Sequence, residues 1–222
     1  MATQLHRPDG LIFDLDGTLV DTVGARIEGW LGALAATGLP AARGQVAPMI
    51  GMDGKQLARE IAAAARRELS DDEVESIDRA AGEAFDLLNR SPRTLPGVRD
   101  ALDAAEAGGI RWVIATSSRK EQVATSVAAL ELAAEPAIVD GSHVKHAKPA
   151  PDLLLLAAER LGIEPARCWA VGDSTWDMRA AVAAGIAGVG VTAGSAVRRE
   201  DLLEAGASLV VETLADLAAR LR

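Results

Sequence analysis

The sequence predicts an α/β fold in which a Rossmann-like parallel sheet carries an all-helical cap, inserted after the first strand. Short apolar runs alternate with helical patterns over most of the chain, beginning with the run at 11–13. Strands that alternate with helices form parallel sheets through right-handed crossovers. The block at 22–91 shows helical patterns and no convincing strand, so it reads as an insertion. We therefore expect a core built from 1–21 and 92–222, and a helical cap domain at 22–91.

The composition is that of an acidic globular protein. The chain has 222 residues, of which 49% are apolar and 25% charged, enough for a sizeable core. Its net charge of −9 argues against nucleic acid as a partner, because binding to phosphates needs a basic surface. No apolar run is long enough to cross a membrane, and 1–10 lacks the apolar stretch of a signal peptide. With Cys168 as the only cysteine, we expect a cytoplasmic protein without disulfides, whose oligomeric state, monomer or dimer, stays open.

The core predictions follow the chain from the first strand onward. Each apolar run is short and is followed by a helical pattern. Each is also either rich in β-branched residues or bounded by turn signals. The helix predicted at 118–130 opens with Ser118 and Glu121, the spacing of a capping box. The predicted strands are 11–13, 112–115, 137–139, 168–171, 188–191 and 209–211.

The cap predictions rest on helical periodicity. Ile27, Trp30 and Leu34 have the spacing of one buried helix face, and similar patterns recur at 57–64 and 74–88. Asp21 precedes the first of these helices and is expected to cap it.

Polar residues follow several strands at the point where each strand ends. Ligands of open parallel sheets bind outside the carboxyl ends of the strands, so we expect these groups to meet. The clusters are Asp14/Asp16, Thr116-Ser117-Ser118, Asp173/Asp177 and, in a further loop, Lys148.

Asp14 and Asp16 lie two positions apart at the end of the first predicted strand. Two carboxylates so close together repel each other, which favours a bound cation, and oxygen ligands without histidine or thiolate suit Mg²⁺. Taken alone, Asp-x-Asp-Gly is also typical of a polar turn.

The full stretch from Asp14 to Asp21, Asp-Leu-Asp-Gly-Thr-Leu-Val-Asp, resembles the first motif of the haloacid dehalogenase superfamily. With the other three clusters in the same order, nearly the whole chain is similar to the capped phosphatase branch, which includes phosphoglycolate phosphatase-like and β-phosphoglucomutase-like proteins. The resemblance implies that Asp14 is a nucleophile that becomes an aspartyl phosphate. It also implies that Asp16 is the general acid and base.

The resemblance assigns the remaining strand-end residues as well. Thr116 and Ser117 would bind phosphate, and Lys148 would neutralise the transferring phosphoryl group. Asp14, Asp16 through its backbone carbonyl, and Asp173 would hold Mg²⁺. Asp177 would support the metal site or Lys148, although Ser174 and Asp177 also have the spacing of a helix-capping pair.

The cap holds a glycine-containing stretch at 48–55 that is expected to select the substrate. Lys55 or Arg59 would meet an anionic or sugar substrate there, and an ordinary surface loop is an equally good interpretation.

The function predicted from these residues is a Mg²⁺-dependent phosphatase acting on a small phosphorylated metabolite of the phosphoglycolate or sugar phosphate class. A sugar-phosphate mutase of the same branch is the alternative, although Thr18 favours hydrolysis by resemblance. A phosphorylatable, Mg²⁺-binding signalling module is the non-catalytic alternative. Such modules carry their aspartate on a later strand.

Overall fold

The computed structural model describes residues 5–118 and 120–222, and a six-stranded sheet lies at its centre. The strands are β1 (Gly10–Phe13), β2 (Arg111–Ala115), β3 (Ile138–Val139), β4 (Cys168–Gly172), β5 (Ala187–Val191) and β6 (Leu209–Val211). Their order in the sheet is β3-β2-β1-β4-β5-β6, and every neighbouring pair is parallel. The predicted parallel-sheet fold is confirmed, with β1 in the middle.

Helices cover both faces of this sheet. They are α5 (Val98–Ala107), α6 (Lys120–Ala128), α7 (Asp152–Leu161), α8 (Thr175–Ala184), α9 (Arg199–Glu204) and α10 (Leu214–Leu221). Along β1, Leu11 and Phe13 pack into one apolar cluster, while Ile12 packs into another on the opposite face. Because successive side chains of a strand point to opposite faces, a strand covered on both sides is apolar throughout. This explains the run Leu-Ile-Phe at 11–13.

The register of the central strands brings their ends to one level. Phe13 lies opposite Ile114 of β2 and Val171 of β4. The backbone N–H of Asp14 continues this pairing by donating to the carbonyl of Val171 at 2.9 Å. Residues that follow β1, β2 and β4 in sequence therefore meet at the same edge of the sheet.

Four helices stand between β1 and β2 along the chain, ahead of α5. They are α1 (Val23–Ala36), α2 (Arg43–Val46), α3 (Gly54–Ala64) and α4 (Asp71–Leu88). They share an apolar cluster of their own, which includes Ile27, Trp30 and Ile77. α1 approaches α4 closely at Gly29, where a Cβ atom would lie 3.0 Å from the carbonyl oxygen of Ala81.

The chain enters and leaves this helical insertion through two paired segments. Val20 and Thr94 form an antiparallel bridge, and the N–H of Leu95 donates to the carbonyl of Leu19 at 3.0 Å. The two connections therefore run side by side between the sheet and the insertion. The exact domain division at residues 22–91 stays a prediction.

Some local expectations differ from the structure. The prediction that Asp21 caps α1 is wrong: Thr22 occupies the N-cap position without a side-chain cap, and the N–H of Asp21 donates to the carbonyl of Arg93 at 2.8 Å. The helix predicted at 118–130 is observed at Lys120–Ala128, and the side chain of Glu121 lies outside the described part of the structure. Among the described residues, no helix is both long and apolar enough to span a bilayer.

Candidate active site

A cavity of about 160 Å³ separates the carboxyl edge of the sheet from the helical insertion. We call its sheet side the floor and its insertion side the roof. Residues that line the floor include Asp14, Asp16, Thr116, Ser117, Asp173 and Asp177, and those that line the roof include Arg26, Trp30, Ile50, Met52, Lys55 and Asp78. The structure thus brings together strand ends that are more than 150 positions apart in the sequence, as the topology predicted.

Lys148 lies between two carboxylates of the floor and is almost fully buried, with 2% of its side chain exposed. Its Nζ atom lies 2.6 Å from Asp14 Oδ1 and 2.6 Å from Asp177 Oδ1. Burial opposes the charge of Lys148, but the two carboxylates outweigh it and raise the pKa of the ammonium above its ordinary value. Lys148 therefore stays a cation fixed against Asp14.

Asp14 is buried deeply enough for its ionisation to be affected. Loss of water and the nearby carboxylate of Asp177 raise the pKa of Asp14 to about 7, although Lys148 acts in the opposite direction. The burial of Asp173 raises its pKa well above the usual range, and the charges of Asp177 and Asp14 add to the effect. Among the described residues, Asp173 forms no ion pair, and the Thr18 hydroxyl donates to its Oδ1 at 3.2 Å.

Asp177 serves two purposes, both of which its position in the sequence suggested. Its Oδ2 accepts hydrogen bonds from the backbone N–H and the hydroxyl of Ser174, at 3.0 and 2.5 Å, in the capping box of α8. Its Oδ1 is left to pair with Lys148. The helix cap thus fixes the carboxylate that holds the lysine.

The donor set of the floor fits a hard divalent cation. One carboxylate oxygen from each of Asp14, Asp173 and Asp177 lies within 4.8 Å of the others. Together with Asp16 they supply four carboxylates against two neighbouring cations, Lys148 and Arg26. A divalent ion would balance this excess, and carboxylate oxygens are the ligands that such ions prefer. These acidic residues could therefore hold a metal ion.

The carboxylate of Asp16 is not part of this group. Its Oδ1 accepts a hydrogen bond from Thr22 at 2.7 Å, and its Oδ2 accepts from Arg26 at 2.9 Å and from Ser118 at 2.5 Å. Burial opposes ionisation here, but Arg26 and the hydroxyl donors outweigh it and lower the pKa of Asp16. The side chain of Asp16 is therefore not directed at the carboxylates of Asp14, Asp173 and Asp177. Its backbone carbonyl, which the resemblance names as a metal ligand, stays a prediction.

Thr116 and Ser117 follow β2 directly. Thr116 is 1% exposed and is anchored by its N–H, which donates to the carbonyl of Val139 at 3.0 Å. The hydroxyl oxygen of Ser117 is buried and has no hydrogen-bond partner among the described residues. A buried hydroxyl without a hydrogen-bond partner is costly. An anion that accepts a hydrogen bond from this hydroxyl would therefore be stabilised here.

Lys55, predicted to bind phosphate, lines the roof rather than the floor. Its ammonium pairs with Glu75, and 43% of its side chain is exposed. Arg59 pairs with Asp71 at 2.7 Å on the outside of the insertion and does not line the cavity. Lys55 thus stays a candidate for contact with the substrate, whereas Arg59 is placed elsewhere.

Sequence reasoning missed Arg26, which lies on α1 and reaches Asp16 in the core. It also read Ser118 only as a helix cap, although its hydroxyl donates to Asp16. Arg26 precedes Ile27 on the predicted buried face of α1. A charged residue next to that face is a signal that could have pointed to a buried partner.

Comparisons with known proteins identify a family of hydrolases. A family model described as haloacid dehalogenase-like hydrolase matches residues 8–185. A phosphoglycolate phosphatase of Escherichia coli K12 is 34% identical over 208 residues, covering 83% of this chain and 81% of the relative. A fructose-1-phosphate phosphatase of the same strain is 32% identical over 190 residues, covering 84% and 97%. The crystal structure of a hydrolase from Pseudomonas syringae, 32% identical, superposes with a TM-score of 0.89 and covers 96% of this chain and 97% of its own.

Proposed function

The chain belongs to the haloacid dehalogenase-like hydrolase family, and from this membership we propose that it hydrolyses small phosphate monoesters through a covalent intermediate on Asp14. The predicted membership in this superfamily is thus confirmed. The observation that carries the proposal is the position of Lys148, which lies between Asp14 and Asp177 at 2.6 Å from each. An ammonium fixed there favours the anionic form of Asp14, against the effects of burial and of Asp177, and would lie close to a phosphoryl group transferred to Asp14.

In the first half of the proposed reaction, a carboxylate oxygen of Asp14 attacks phosphorus. The new oxygen–phosphorus bond forms as the bond between phosphorus and the ester oxygen breaks. Asp16 must carry a proton for this step, although Arg26 and the hydroxyl donors lower its pKa. The departing alkoxide takes that proton, and Asp16 becomes a carboxylate. Splitting the transfer into two steps lowers the barrier of each, as in other nucleophilic mechanisms.

In the second half, water attacks the phosphorus of the aspartyl phosphate. Asp16 removes a proton from that water, and the bond between phosphorus and Asp14 breaks. Inorganic phosphate leaves, and both aspartates return to their starting states. One residue thus acts as acid and then as base, which requires its carboxyl group to stay in place.

The phosphoryl group would be held by donors on the floor. The hydroxyls of Thr116 and Ser117 lie at the end of β2, and Lys148 contributes a positive charge from beneath. Fixed donors of this kind stabilise charge that develops in the transition state. Asp14, Asp173 and the backbone carbonyl of Asp16 would hold Mg²⁺, with Asp177 in support. The bound ion would neutralise phosphoryl oxygens.

The substrate would be a small phosphorylated metabolite, because the cavity has a modest volume of about 160 Å³. The relatives named above act on phosphoglycolate and on fructose 1-phosphate, two small phosphate monoesters. The roof, with Lys55 and the segment at 48–55, would contact the leaving group.

Release of inorganic phosphate from a panel of phosphate monoesters tests the proposal. The panel should include p-nitrophenyl phosphate, 2-phosphoglycolate, fructose 1-phosphate and nucleotides, each with Mg²⁺ and with a chelator. We expect Mg²⁺-dependent turnover of p-nitrophenyl phosphate and of at least one metabolite. Isomerisation of a hexose phosphate without free phosphate would favour a mutase instead. Stable phosphorylated protein without turnover would favour a signalling module.

A further inference from the structure

Arg26 is a residue of the insertion whose guanidinium reaches into the core. Its Nη2 atom donates to Asp16 Oδ2 at 2.9 Å and to Ser118 Oγ at 2.6 Å, and Nη1 lies 3.4 Å from Gln122 Oε1. The side chain is 15% exposed, so these contacts replace most of its hydration. One side chain therefore connects the first helix of the insertion with the acid/base residue of the proposed reaction.

The contacts leave the Asp16 carboxylate little freedom. Thr22, which follows the first connection to the insertion, donates to Oδ1, whereas Arg26 and Ser118 both donate to Oδ2. Rotation of the carboxylate would break hydrogen bonds at both oxygens. The donors thus fix the orientation of the Asp16 carboxylate.

The plane of the guanidinium is fixed by a second helix of the insertion. The Cζ atom of Arg26 lies 3.5 Å from the centre of the ring of Phe85, a residue of α4 that is 1% exposed. A cation stacked on an aromatic ring is held more strongly where water is excluded. Since α1 begins just after one connection and α4 ends just before the other, Arg26 depends on both helices for its position.

We propose that Arg26 is a positioning residue for Asp16, which it aligns with the leaving oxygen while the insertion covers the floor. The inference rests on the proposed function, in which Asp16 protonates that oxygen. Arg26 acts through Asp16 and transfers no proton itself. Its planar fork suits this task, because it binds two acceptors in a fixed geometry that a lysine cannot reproduce.

Leaving-group chemistry separates this role from that of a simple tether. A nitrophenolate leaves without help from an acid, a phenolate needs more help, and an ethoxide needs the most. Misalignment of Asp16 should therefore lower kcat/KM to a different degree for each of the three esters. The ratio kcat/KM is suitable because it reports only the steps up to release of the alcohol or phenol.

The experiment measures kcat/KM of the wild type, Arg26→Met and Arg26→Lys with p-nitrophenyl, phenyl and ethyl phosphate. For Arg26→Met we expect a loss of about 100-fold on ethyl phosphate, the size that a misplacement of about 1 Å produces, and less than about tenfold on p-nitrophenyl phosphate. Phenyl phosphate should fall in between. Arg26→Lys retains a charge and should show a smaller loss with the same gradation, which keeps the test decisive if the methionine variant is poorly folded.

The control is Trp176→Phe. Trp176 Nε1 donates to the carbonyl of Pro48 at 3.0 Å, so this residue also ties the insertion to the core, but without contact to Asp16. We expect this variant to lower kcat/KM by the same factor for all three esters. An equal loss for all three esters in the Arg26 variants would overturn the positioning role. Arg26 would then only hold the insertion against the core. A wild-type protein that hydrolyses none of the esters with Mg²⁺ would instead refute the proposed function, and the positioning role with it.

Discussion

The floor and the roof of the cavity are built in different ways. On the floor, Asp14, Lys148 and Asp177 are nearly buried, and each charge is fixed by at least one direct partner at 2.6 Å. On the roof, Lys55 is half-exposed and pairs with Glu75. Buried, mutually dependent charges are costly to disturb, whereas exposed pairs contribute little. In the proposed function, the floor would therefore set the chemistry and the roof the choice of leaving group.

Replacement of Asp14 by Asn should have the largest effect, because it removes the proposed nucleophile and keeps its shape. We expect the rate of phosphate release to fall by roughly 10⁴-fold or more, with the far-UV circular dichroism unchanged. Asp103→Asn, a substitution of an exposed carboxylate on α5, is the matched control and should leave the rate unchanged. An Asp14→Asn protein that keeps more than a few per cent of the activity would remove Asp14 from its role.

Replacement of Lys148 by Met tests whether the floor depends on its buried cation. The variant leaves Asp14 and Asp177 without their common partner, so the free energy of unfolding should fall by about 3–5 kcal/mol. Urea unfolding of the wild type, Lys148→Met and the exposed control Lys145→Met measures this loss. If both lysine variants were equally stable, the floor would not differ from the roof in the way described.

Replacement of Asp173 by Asn separates metal binding from catalysis. Mg²⁺ at 100 times its dissociation constant should stabilise the wild type by about 2.7 kcal/mol, since binding favours the folded state. Asp173→Asn should lose most of that gain, and without Mg²⁺ it should be at least as stable as the wild type, because a buried carboxylate has become neutral. Thermal unfolding with and without Mg²⁺ measures both effects. Equal stabilisation of the two proteins by Mg²⁺ would place the ion elsewhere.

Replacement of Lys55 by Ala should have the smallest effect and should depend on the ester used. Loss of a partly exposed cation from the roof should raise KM by less than about tenfold and leave kcat nearly unchanged. Arg59→Ala on the same helix is the control, since its side chain pairs with Asp71 away from the cavity. A fall in kcat with no change in KM would instead indicate that Lys55 acts in the chemical step.

The same contrast governs what the sequence could predict. The floor was predictable because apolar runs end in polar residues, and parallel strands in register bring those ends together. Asp14, Thr116 and Asp173 follow their strands directly, so their meeting requires no knowledge of side-chain packing. Lys148 was expected to join this group from a further loop, but its role was predicted only by resemblance, because the sequence pattern does not define the course of that loop.

The roof was less predictable because it depends on how four helices pack. Periodicity identified the apolar faces of α1, α3 and α4, but the stacking of Arg26 on Phe85 joins residues 59 positions apart. The position of Arg26 beside the apolar face of α1 suggests a buried partner, but no local pattern identifies Asp16 as that partner. The side-chain direction of Asp16, which takes it away from the acidic group, follows from the same contact.

Acid quenching of the enzyme during turnover of p-nitrophenyl phosphate, followed by mass spectrometry of the peptide that contains Asp14, tests the central claim most directly. We predict a phosphate adduct on that aspartate in the wild type, and none in Asp14→Asn. Sustained turnover with no adduct on Asp14, or an adduct on another residue, would contradict the covalent mechanism.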